Sequence, residues 1–219
     1  SLPSRGLGDV YKRQIQKFGG TSLADTKRFK AVAKIIKETS ETGKKVVAVV
    51  SAMAGETQRL IDLAKGVQEI PDPREYDALI SSGEQVSVAL LAMSLRSENL
   101  KSKSYTAFQL GLRTDDYHGK ARISSIDTKN LLMDISSNIT PVITGFQGIN
   151  EEGDVTTLGR GGSDTSAVAL AVALNAEECQ IYTDVNGVYT TDPNVYEKAK
   201  KIDKLTFEEM LELLSLIHI

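Results

Sequence analysis

The sequence predicts an α/β fold built on a mainly parallel sheet. Short apolar segments alternate with longer segments whose apolar residues recur at helical spacing, which is the order that helical crossovers between parallel strands produce. The segment 46–50, VVAVV, is apolar throughout, as expected of a strand buried on both faces. Two glycine-rich turns, at 19–20 and 159–162, each lie between a predicted strand and a predicted helix. With 41% hydrophobic and 25% charged residues, the 219-residue chain can bury one sizeable core.

The first half of the chain alternates strands and helices. A strand ending at residue 18 precedes a helix over residues 25–39, whose apolar residues recur three and four positions apart. The strand 46–50 comes next, followed by a helix from about residue 57. Residues 76–98 then carry a helical apolar stripe, which predicts one long helix.

The second half continues the alternation with shorter elements. Turn-forming residues separate the apolar segments, and the sequence EGD within the predicted hairpin favours a tight turn. The predicted elements are, in order, strand 103–109, helix 127–136, strand 141–146, a hairpin turning at 152–154, helix 164–176 and strand 179–183.

The glycine-rich segment 158–166, LGRGGSDTS, is the strongest candidate for a ligand site. Its glycines allow the backbone to approach a ligand and to adopt positive φ, and the helix that follows presents free N–H groups to an anion. The segment is not a dinucleotide fingerprint, because Asp164 stands where that pattern needs glycine, and the chain has no P-loop motif. A tight turn that only caps a core helix remains the alternative.

A second glycine-rich turn lies at residues 17–22, KFGGTS. Lys17 near the end of the first strand is a compact positive charge suited to a phosphoryl group, although a lysine there needs no function. Thr21, Ser22 or Asp25 can cap the following helix. The presence of two such turns in one chain favours a phosphate site.

These motifs together resemble the catalytic domain of the aspartokinases, in order and spacing, from residue 15 to residue 214. Aspartokinases belong to the amino acid kinase superfamily, so the resemblance implies a three-layer αβα sandwich around a mainly parallel sheet. The motifs that carry the resemblance are KFGGTS at 17–22, VSAMAGET at 50–57, SGE at 82–84, GRGGSD at 159–164 and YTDVNGVYTTDP at 182–193.

The resemblance implies an enzyme that transfers the γ-phosphoryl group of ATP, with Mg²⁺, to the β-carboxylate of L-aspartate. The product would be 4-phospho-L-aspartate, formed in the first step of lysine, threonine and methionine biosynthesis. Two alternatives stay open. One is another amino acid kinase, with glutamate, acetylglutamate or a nucleoside monophosphate as acceptor, against which Arg160 and Thr57 in aspartokinase-like motifs argue. The other is a catalytically weak nucleotide-binding fragment.

The chemistry of phosphoryl transfer and the resemblance to the aspartokinases together imply a role for each site residue. Lys17 would neutralise charge on the transferred group and Asp164 would orient that lysine. Arg160 offers a bidentate fork for the α-carboxylate, and by resemblance Glu84 binds the ammonium group. The remaining assignments follow the family motifs, with the substrate at Ser51, Thr57, Glu84, Arg160, Gly161, Gly162 and Ser163, and the nucleotide at Lys17, Phe18, Gly19, Gly20, Thr183, Asp184, Tyr189 and Asp192. Magnesium is expected to be held by phosphates and water, without a cluster of protein ligands.

Composition restricts the partners and the compartment. A net charge of −3 provides no general basic field for nucleic acid. No apolar run approaches the roughly 18 residues of a membrane span, so we expect no membrane association. A cytoplasmic location is expected. Cys179, the only cysteine, is expected to be a small core residue.

Both ends of the chain look foreign to the family. Residues 1–14 are expected to be a non-native or disordered tail, residues 15–214 a truncated amino acid kinase catalytic domain, and residues 215–219 a non-native end. Family members continue with a second phosphate-binding lysine and with regulatory domains. Through those domains the parent enzyme is expected to form a homo-oligomer.

Overall fold

The structure, a computed structural model, describes residues 12–183 together with 187, 196, 198–202, 205, 206, 209 and 210. Its strands, in chain order, are β1 (Arg13–Phe18), β2 (Lys45–Val50), β3 (Ser102–Tyr105), β4 (Leu112–Thr114), β5 (Ile123–Ile126), β6 (Thr140–Thr144), β7 (Gln147–Ile149), β8 (Val155–Thr157) and β9 (Glu178–Tyr182). Its helices are α1 (Thr26–Glu41), α2 (Glu56–Val67), α3 (Pro73–Ile80), α4 (Ser82–Ser97), α5 (Ala107–Leu110), α6 (Lys129–Ser136) and α7 (Gly162–Ala173), and a short 3-10 helix spans Gly20–Leu23.

The central sheet has the strand order β3-β6-β2-β1-β9, and every pair in it is parallel. Parallel strands end at the same edge of a sheet, where ligands of α/β proteins usually bind. Lys17 in β1 is therefore brought close to Ser51, which follows β2, and to Thr183, which follows β9. The predicted α/β fold with a mainly parallel sheet is confirmed. Strand β1 begins at Arg13, inside the segment 1–14 that was expected to be a tail.

Helices cover both faces of the central sheet and form a three-layer sandwich. One core contains Val46, Ala48 and Val50 of β2 together with the apolar faces of α1 and α4. The other contains Val47 and Val49 of the same strand, packed with residues of α5, α6 and α7. Alternate side chains of β2 thus enter opposite cores, which explains why the strand is apolar throughout.

A smaller mixed sheet, with the order β5-β4-β7-β8, lies beside the central one. Strands β7 and β8 form the predicted antiparallel hairpin, closed by a hydrogen bond from the Asn150 N–H to the Asp154 carbonyl at 3.0 Å. Strands β4 and β5 were not predicted, because segments of three and four residues are too short to show a period of two. The small sheet positions β8, from which the glycine-rich turn continues.

Two predicted elements differ from the structure. The single helix expected over 76–98 is two helices, α3 and α4, which meet at Ser81; α3 begins with Pro73 after its cap residue Asp72, which accepts from the N–H groups of Arg74 and Glu75. The strand expected over 103–109 was wrong beyond Tyr105. Thr106 and Gln109 form a capping box, and this local hydrogen bonding starts the helix α5 instead.

The helical stretch Pro73–Ser97, 25 residues long, is by length and composition apolar enough to cross a membrane. The expectation concerned uninterrupted apolar runs, and this stretch contains charged residues such as Arg74 and Glu84. Half of its most apolar window is buried inside the protein, and α4 also buries the polar residues Glu84 and Ser87. Core helices of globular proteins meet the same criterion, and packing against α1 and the central sheet accounts for the apolar residues of α4.

Candidate active site

The glycine-rich turn has the conformation that its sequence predicts. Gly159 and Gly161 have φ of 78° and 74°, in the left-handed region that other residues rarely adopt. Gly161 is also the residue that precedes α7, and its carbonyl accepts from the N–H of Asp164 at 2.9 Å and from that of Thr165 at 3.0 Å. The turn therefore delivers Arg160 and the first residues of α7 to one place.

Lys17 and Asp164 form an ion pair across the site. The Lys17 ammonium lies 2.7 Å from Oδ1 of Asp164, and the Lys17 side chain is only 9% exposed, against 26% for Asp164. Lys17 comes from the carboxyl end of β1, whereas Asp164 comes from the first turn of α7. The pair holds the Lys17 ammonium beside the first turn of α7.

Glu84 is a buried carboxylate with an unused acceptor. It lies in the first turn of α4, and its Oε1 accepts from the N–H of Ala52 at 2.9 Å. Oε2 is buried and has no hydrogen-bond partner among the described residues. Burial raises the pKa of Glu84 to about 7, against a smaller opposing effect of backbone hydrogen bonds. A buried, unpaired carboxylate oxygen is well suited to a cationic ligand.

A cavity of about 320 Å³ brings these groups together. All the predicted substrate residues line it, along with both members of the ion pair. Gly159 of the glycine-rich segment also lines it, as does Phe146, which was not predicted from the sequence to be part of the site. The lining consists of Lys17, Ser51, Thr57, Glu84, Phe146, Gly159, Arg160, Gly161, Gly162, Ser163 and Asp164.

Phe146 is held in an unusual conformation at the wall of this cavity. Its φ of 69° is rare for a residue with a side chain, and it follows β6 directly after Gly145. The Phe146 N–H donates to Oγ of Ser166 at 3.1 Å, and its carbonyl accepts from Leu158 at 2.8 Å. Phe146 thus connects the end of β6 to the glycine-rich turn. The sequence predicted Phe146 only as the end of the strand 141–146.

The residues predicted for the nucleotide lie in different environments. Phe18 is fully buried and stacks on Tyr182, with ring centroids 4.6 Å apart, so its side chain supports the strand and exposes no atom to a ligand. Gly19 donates its N–H to the Tyr182 carbonyl at 3.1 Å, Gly20 begins the short 3-10 helix, and Thr183 is exposed after β9. The predicted nucleotide residues outside the described part of the chain are Asp184, Tyr189 and Asp192.

Gly19 and Gly20 lie where the surrounding chain leaves little room for a side chain. A Cβ on Gly19 would lie 3.7 Å from the Lys17 ammonium, so a side chain there would occupy the approach to this cation. A Cβ on Gly20 would lie 2.9 Å from the Ala52 carbonyl. Within the described residues, no group of three or more His, Cys, Asp or Glu side chains could hold a metal ion.

The charges around the cavity are arranged for a zwitterion. Arg160 is exposed and Lys17 is buried; opposite charges come from Glu84 and Asp164. Hydroxyl groups of Ser51, Thr57 and Ser163 line the same space. An amino acid with an additional carboxylate would find a cation, an anion and hydroxyl donors for its three polar groups.

Comparison with known proteins finds relatives that match most of the chain. The family model described as the amino acid kinase family matches residues 12–216. An aspartate kinase of Stutzerimonas stutzeri is 56% identical over 202 residues, which cover 92% of this chain and 49% of that protein. The chain therefore spans about half the length of the curated relatives it matches.

Solved structures give the same result. The crystal structure of an aspartate kinase from Synechocystis has a TM-score of 0.73 and 46% identity, and the match covers 93% of this chain and 34% of that one. The structure of E. coli aspartokinase III in complex with aspartate and ADP has a TM-score of 0.75 and 29% identity, covering 88% of this chain and 54% of that one.

Proposed function

Because the chain belongs to the amino acid kinase family, we propose that it is the catalytic part of an aspartate kinase, which transfers the γ-phosphoryl group of ATP to the β-carboxylate of L-aspartate. The cavity carries this proposal, because it combines the buried Glu84, whose Oε2 has no hydrogen-bond partner among the described residues, with Arg160 and the Lys17–Asp164 pair. The relatives named as aspartate kinases support it.

Recognition of the amino acid rests on opposite charges at fixed positions. Arg160 binds the α-carboxylate through parallel hydrogen bonds, which a lysine could not supply. Oε2 of Glu84 accepts from the ammonium group, which removes the cost of leaving that oxygen buried and unpaired. The hydroxyls of Thr57 and Ser163 and the backbone of Gly161 and Gly162 direct the side-chain carboxylate towards the phosphorus.

Nucleotide binding uses the other end of the same edge of the sheet. ATP with Mg²⁺ supplies the phosphoryl group and neutralises part of its charge. Lys17 lies between this region and the cavity, so its ammonium contacts the oxygens of the transferred group. Phe18, Gly19 and Gly20 are proposed to approach the phosphates at the turn after β1, whereas Ser51 at the end of β2 is proposed to contact the substrate. Thr183, Asp184, Tyr189 and Asp192 are proposed to contact the nucleotide beyond β9.

Transfer needs little covalent work from the protein. The attacking carboxylate is already nucleophilic, so catalysis consists of alignment and of stabilising the charge on the equatorial oxygens. Asp164 holds the Lys17 ammonium in place before the ligands arrive, which removes the cost of reorganising it during the reaction. Residues 15–214 form the catalytic region in this proposal.

The activity is tested by trapping the acyl phosphate with hydroxylamine. The 219-residue chain, and a version extended to the length of its relatives, are incubated with MgATP and one acceptor at a time. We expect hydroxamate from L-aspartate, and much less from L-glutamate or N-acetylglutamate. Preferential use of either of those acceptors, or ATP binding without turnover in both proteins, would contradict the proposal.

The oligomeric state and the compartment of the whole protein stay predictions. A homo-oligomer held by further domains and a cytoplasmic location are proposed for the longer protein. Light scattering of the extended protein and fractionation of the producing cells measure these properties directly.

A further inference from the structure

Outside the cavity lies a second buried carboxylate, Asp77, in the middle of α3. It has no exposed surface, and it does not line the cavity. Its two oxygens accept from four donors: the Thr157 N–H at 3.0 Å, the Thr157 hydroxyl at 2.6 Å, Nδ1 of His118 at 2.9 Å and the Gly119 N–H at 2.9 Å. A carboxylate is costly to bury, and this set of donors offsets the cost.

Asp77 connects the two segments that carry the charged ligand groups of the cavity. Thr157 is the last residue of β8, and the chain continues from it through Gly159 to Arg160. On the other side, α3 continues through Ser81 into α4, whose first turn carries Glu84. Glu84 and Arg160 are far apart in the chain, so noncovalent contacts such as those of Asp77 must hold their two segments together.

Two further contacts join the same segments. The side-chain amide of Gln147 donates to the carbonyl of Ser81 at 2.9 Å, at the junction of α3 and α4. Arg74 in the first turn of α3 forms an ion pair with Asp154 at 2.7 Å, at the other end of the β7–β8 hairpin. The Asp77 contacts lie between these two along α3. Like the hydrogen bond from Gln147 to Ser81, the contacts of Asp77 with Thr157 are buried, whereas the Arg74 side chain is 54% exposed.

From this arrangement we propose that Asp77, through Thr157, is a positioning residue that sets the separation of Glu84 and Arg160 and thereby the preference of the cavity for an amino acid over the corresponding dicarboxylate. The proposal rests on the proposed function. Aspartate must reach both charges at once, whereas succinate lacks the ammonium group and has no use for Glu84. A change in the separation of the two residues weakens aspartate binding more than succinate binding.

The test compares substitutions of two neighbouring buried threonines of β8. Thr157→Val keeps the shape of the side chain and removes the hydroxyl that donates to Asp77. Thr157→Ser retains this hydroxyl and provides the conservative rescue. Thr156→Val is the matched control, since the Thr156 hydroxyl is equally buried but contacts the hydroxyl of Thr114 at 2.6 Å and not Asp77.

Dissociation constants for L-aspartate and succinate are measured by calorimetry on the full chain, with the melting temperature of each variant. We expect Thr157→Val to lower the preference for aspartate over succinate about three- to tenfold. The reason is that part of the energy of the lost hydrogen bond to a charged group is felt in the cavity, through the segment that carries Arg160. Thr157→Ser should restore the preference for aspartate. Thr156→Val should lower the melting temperature and leave that preference unchanged. A merely structural role would weaken both ligands equally.

The outcomes separate the two proposals. If the wild-type chain showed no preference for aspartate over succinate, the proposed amino acid recognition would be wrong and the role of Asp77 would fail with it. If the wild type showed the preference and Thr157→Val kept it, only the role of Asp77 would be overturned. Should Thr157→Val not fold, Asp77→Asn provides the same comparison, because it keeps the shape and removes the charge that the donors share.

Discussion

At the scale of single residues, Glu84 shows how burial makes a carboxylate sensitive to pH. Its pKa of about 7 in the folded protein lies above the ordinary 4.5, so the folded state binds this proton more tightly than the unfolded chain. The stability that Glu84 contributes is therefore fully present below about pH 4.5 and is lost as the pH rises through about 7. The difference amounts to roughly 3 kcal/mol.

The same residue predicts a pH dependence of ligand binding with the opposite sign. The ionised Glu84 attracts the ammonium group of aspartate more strongly than the neutral carboxyl does, so the affinity for aspartate should increase as the pH rises from 6 to 8. Glu84→Gln should remove most of this increase and should leave succinate binding almost unchanged. Calorimetric titrations of both proteins across that range test the prediction, and a wild-type affinity that falls with rising pH would contradict it.

Lys17 is expected to act mainly on the transition state. Lys17→Ala should lower turnover by about 10²–10³-fold in a protein that shows the activity, because one preorganised electrostatic group is lost. Lys12→Ala is the control, since Lys12 precedes the same strand and its side chain is 69% exposed in a pair with Glu177. The hydroxamate assay gives both rates. Near-normal turnover of Lys17→Ala would remove this residue from the mechanism.

Arg160 is expected to act on the binding of aspartate. Arg160→Lys keeps the charge but cannot form two parallel hydrogen bonds with a carboxylate, at a cost of roughly 1.5–3 kcal/mol for one charge-assisted bond. The KM for aspartate should rise about 10- to 100-fold, with a small change in the KM for ATP. Steady-state kinetics with each substrate varied separately distinguish the two. A selective effect on ATP would assign Arg160 to the nucleotide instead.

At the scale of secondary-structure elements, the sequence predicted the long elements better than the short ones. The apolar periodicity of α1 and the uniform apolarity of β2 each depend on burial, which the residue pattern records directly. The junction at Ser81 divides a continuous apolar stripe, and nothing in the periodicity reveals it. Strands β4 and β5 owe their conformation to pairing with distant segments, which a local pattern does not contain.

The candidate site shows the same division. Glycine-rich turns and charged residues within motifs pointed to Lys17, Glu84 and Arg160, and the structure brings them into one cavity. Phe146 enters the cavity through a left-handed backbone conformation that its sequence does not require. His118 was expected to be an ordinary loop residue, but it contacts the buried Asp77. Contacts of this kind join residues far apart in the chain, so no local signal could have indicated them.

Two glycines in helices predict opposite effects of the same substitution. A Cβ on Gly162, at the start of α7, would lie 2.9 Å from Cβ of Leu158 and 3.0 Å from the ring of Phe146. Gly162→Ala should therefore destabilise the protein by about 1–3 kcal/mol through overpacking. Gly66 lies exposed in α2 with no atom within 4 Å of its Cβ position, so Gly66→Ala should stabilise it by about 0.5–1 kcal/mol. Urea denaturation measures both, and a destabilised Gly66→Ala or a stabilised Gly162→Ala would contradict this account.

At the scale of the whole molecule, the cavity is lined by residues that follow strands of both sheets, which share one hydrophobic core. Glu84 belongs to α4, which packs on the central sheet, whereas Arg160 follows β8 of the smaller sheet. A ligand that binds both residues links α4 to the segment after β8. Because such a ligand binds the folded state and not the unfolded chain, it raises the stability of the folded protein. Unfolding of the protein and release of the ligand should therefore occur together.

We therefore expect L-aspartate to raise the melting temperature of the chain. At a concentration one hundred times its dissociation constant, a ligand adds about 2.7 kcal/mol, which for a protein of this size corresponds to about 5–10 °C. Hydrogen exchange should slow both in residues 158–164 and in the first turn of α4, because the ligand contacts each. At the same aspartate concentration, Glu84→Gln should show a smaller shift in melting temperature and little protection in α4. Protection confined to one of the two segments in the wild type would mean that aspartate does not bridge Glu84 and Arg160.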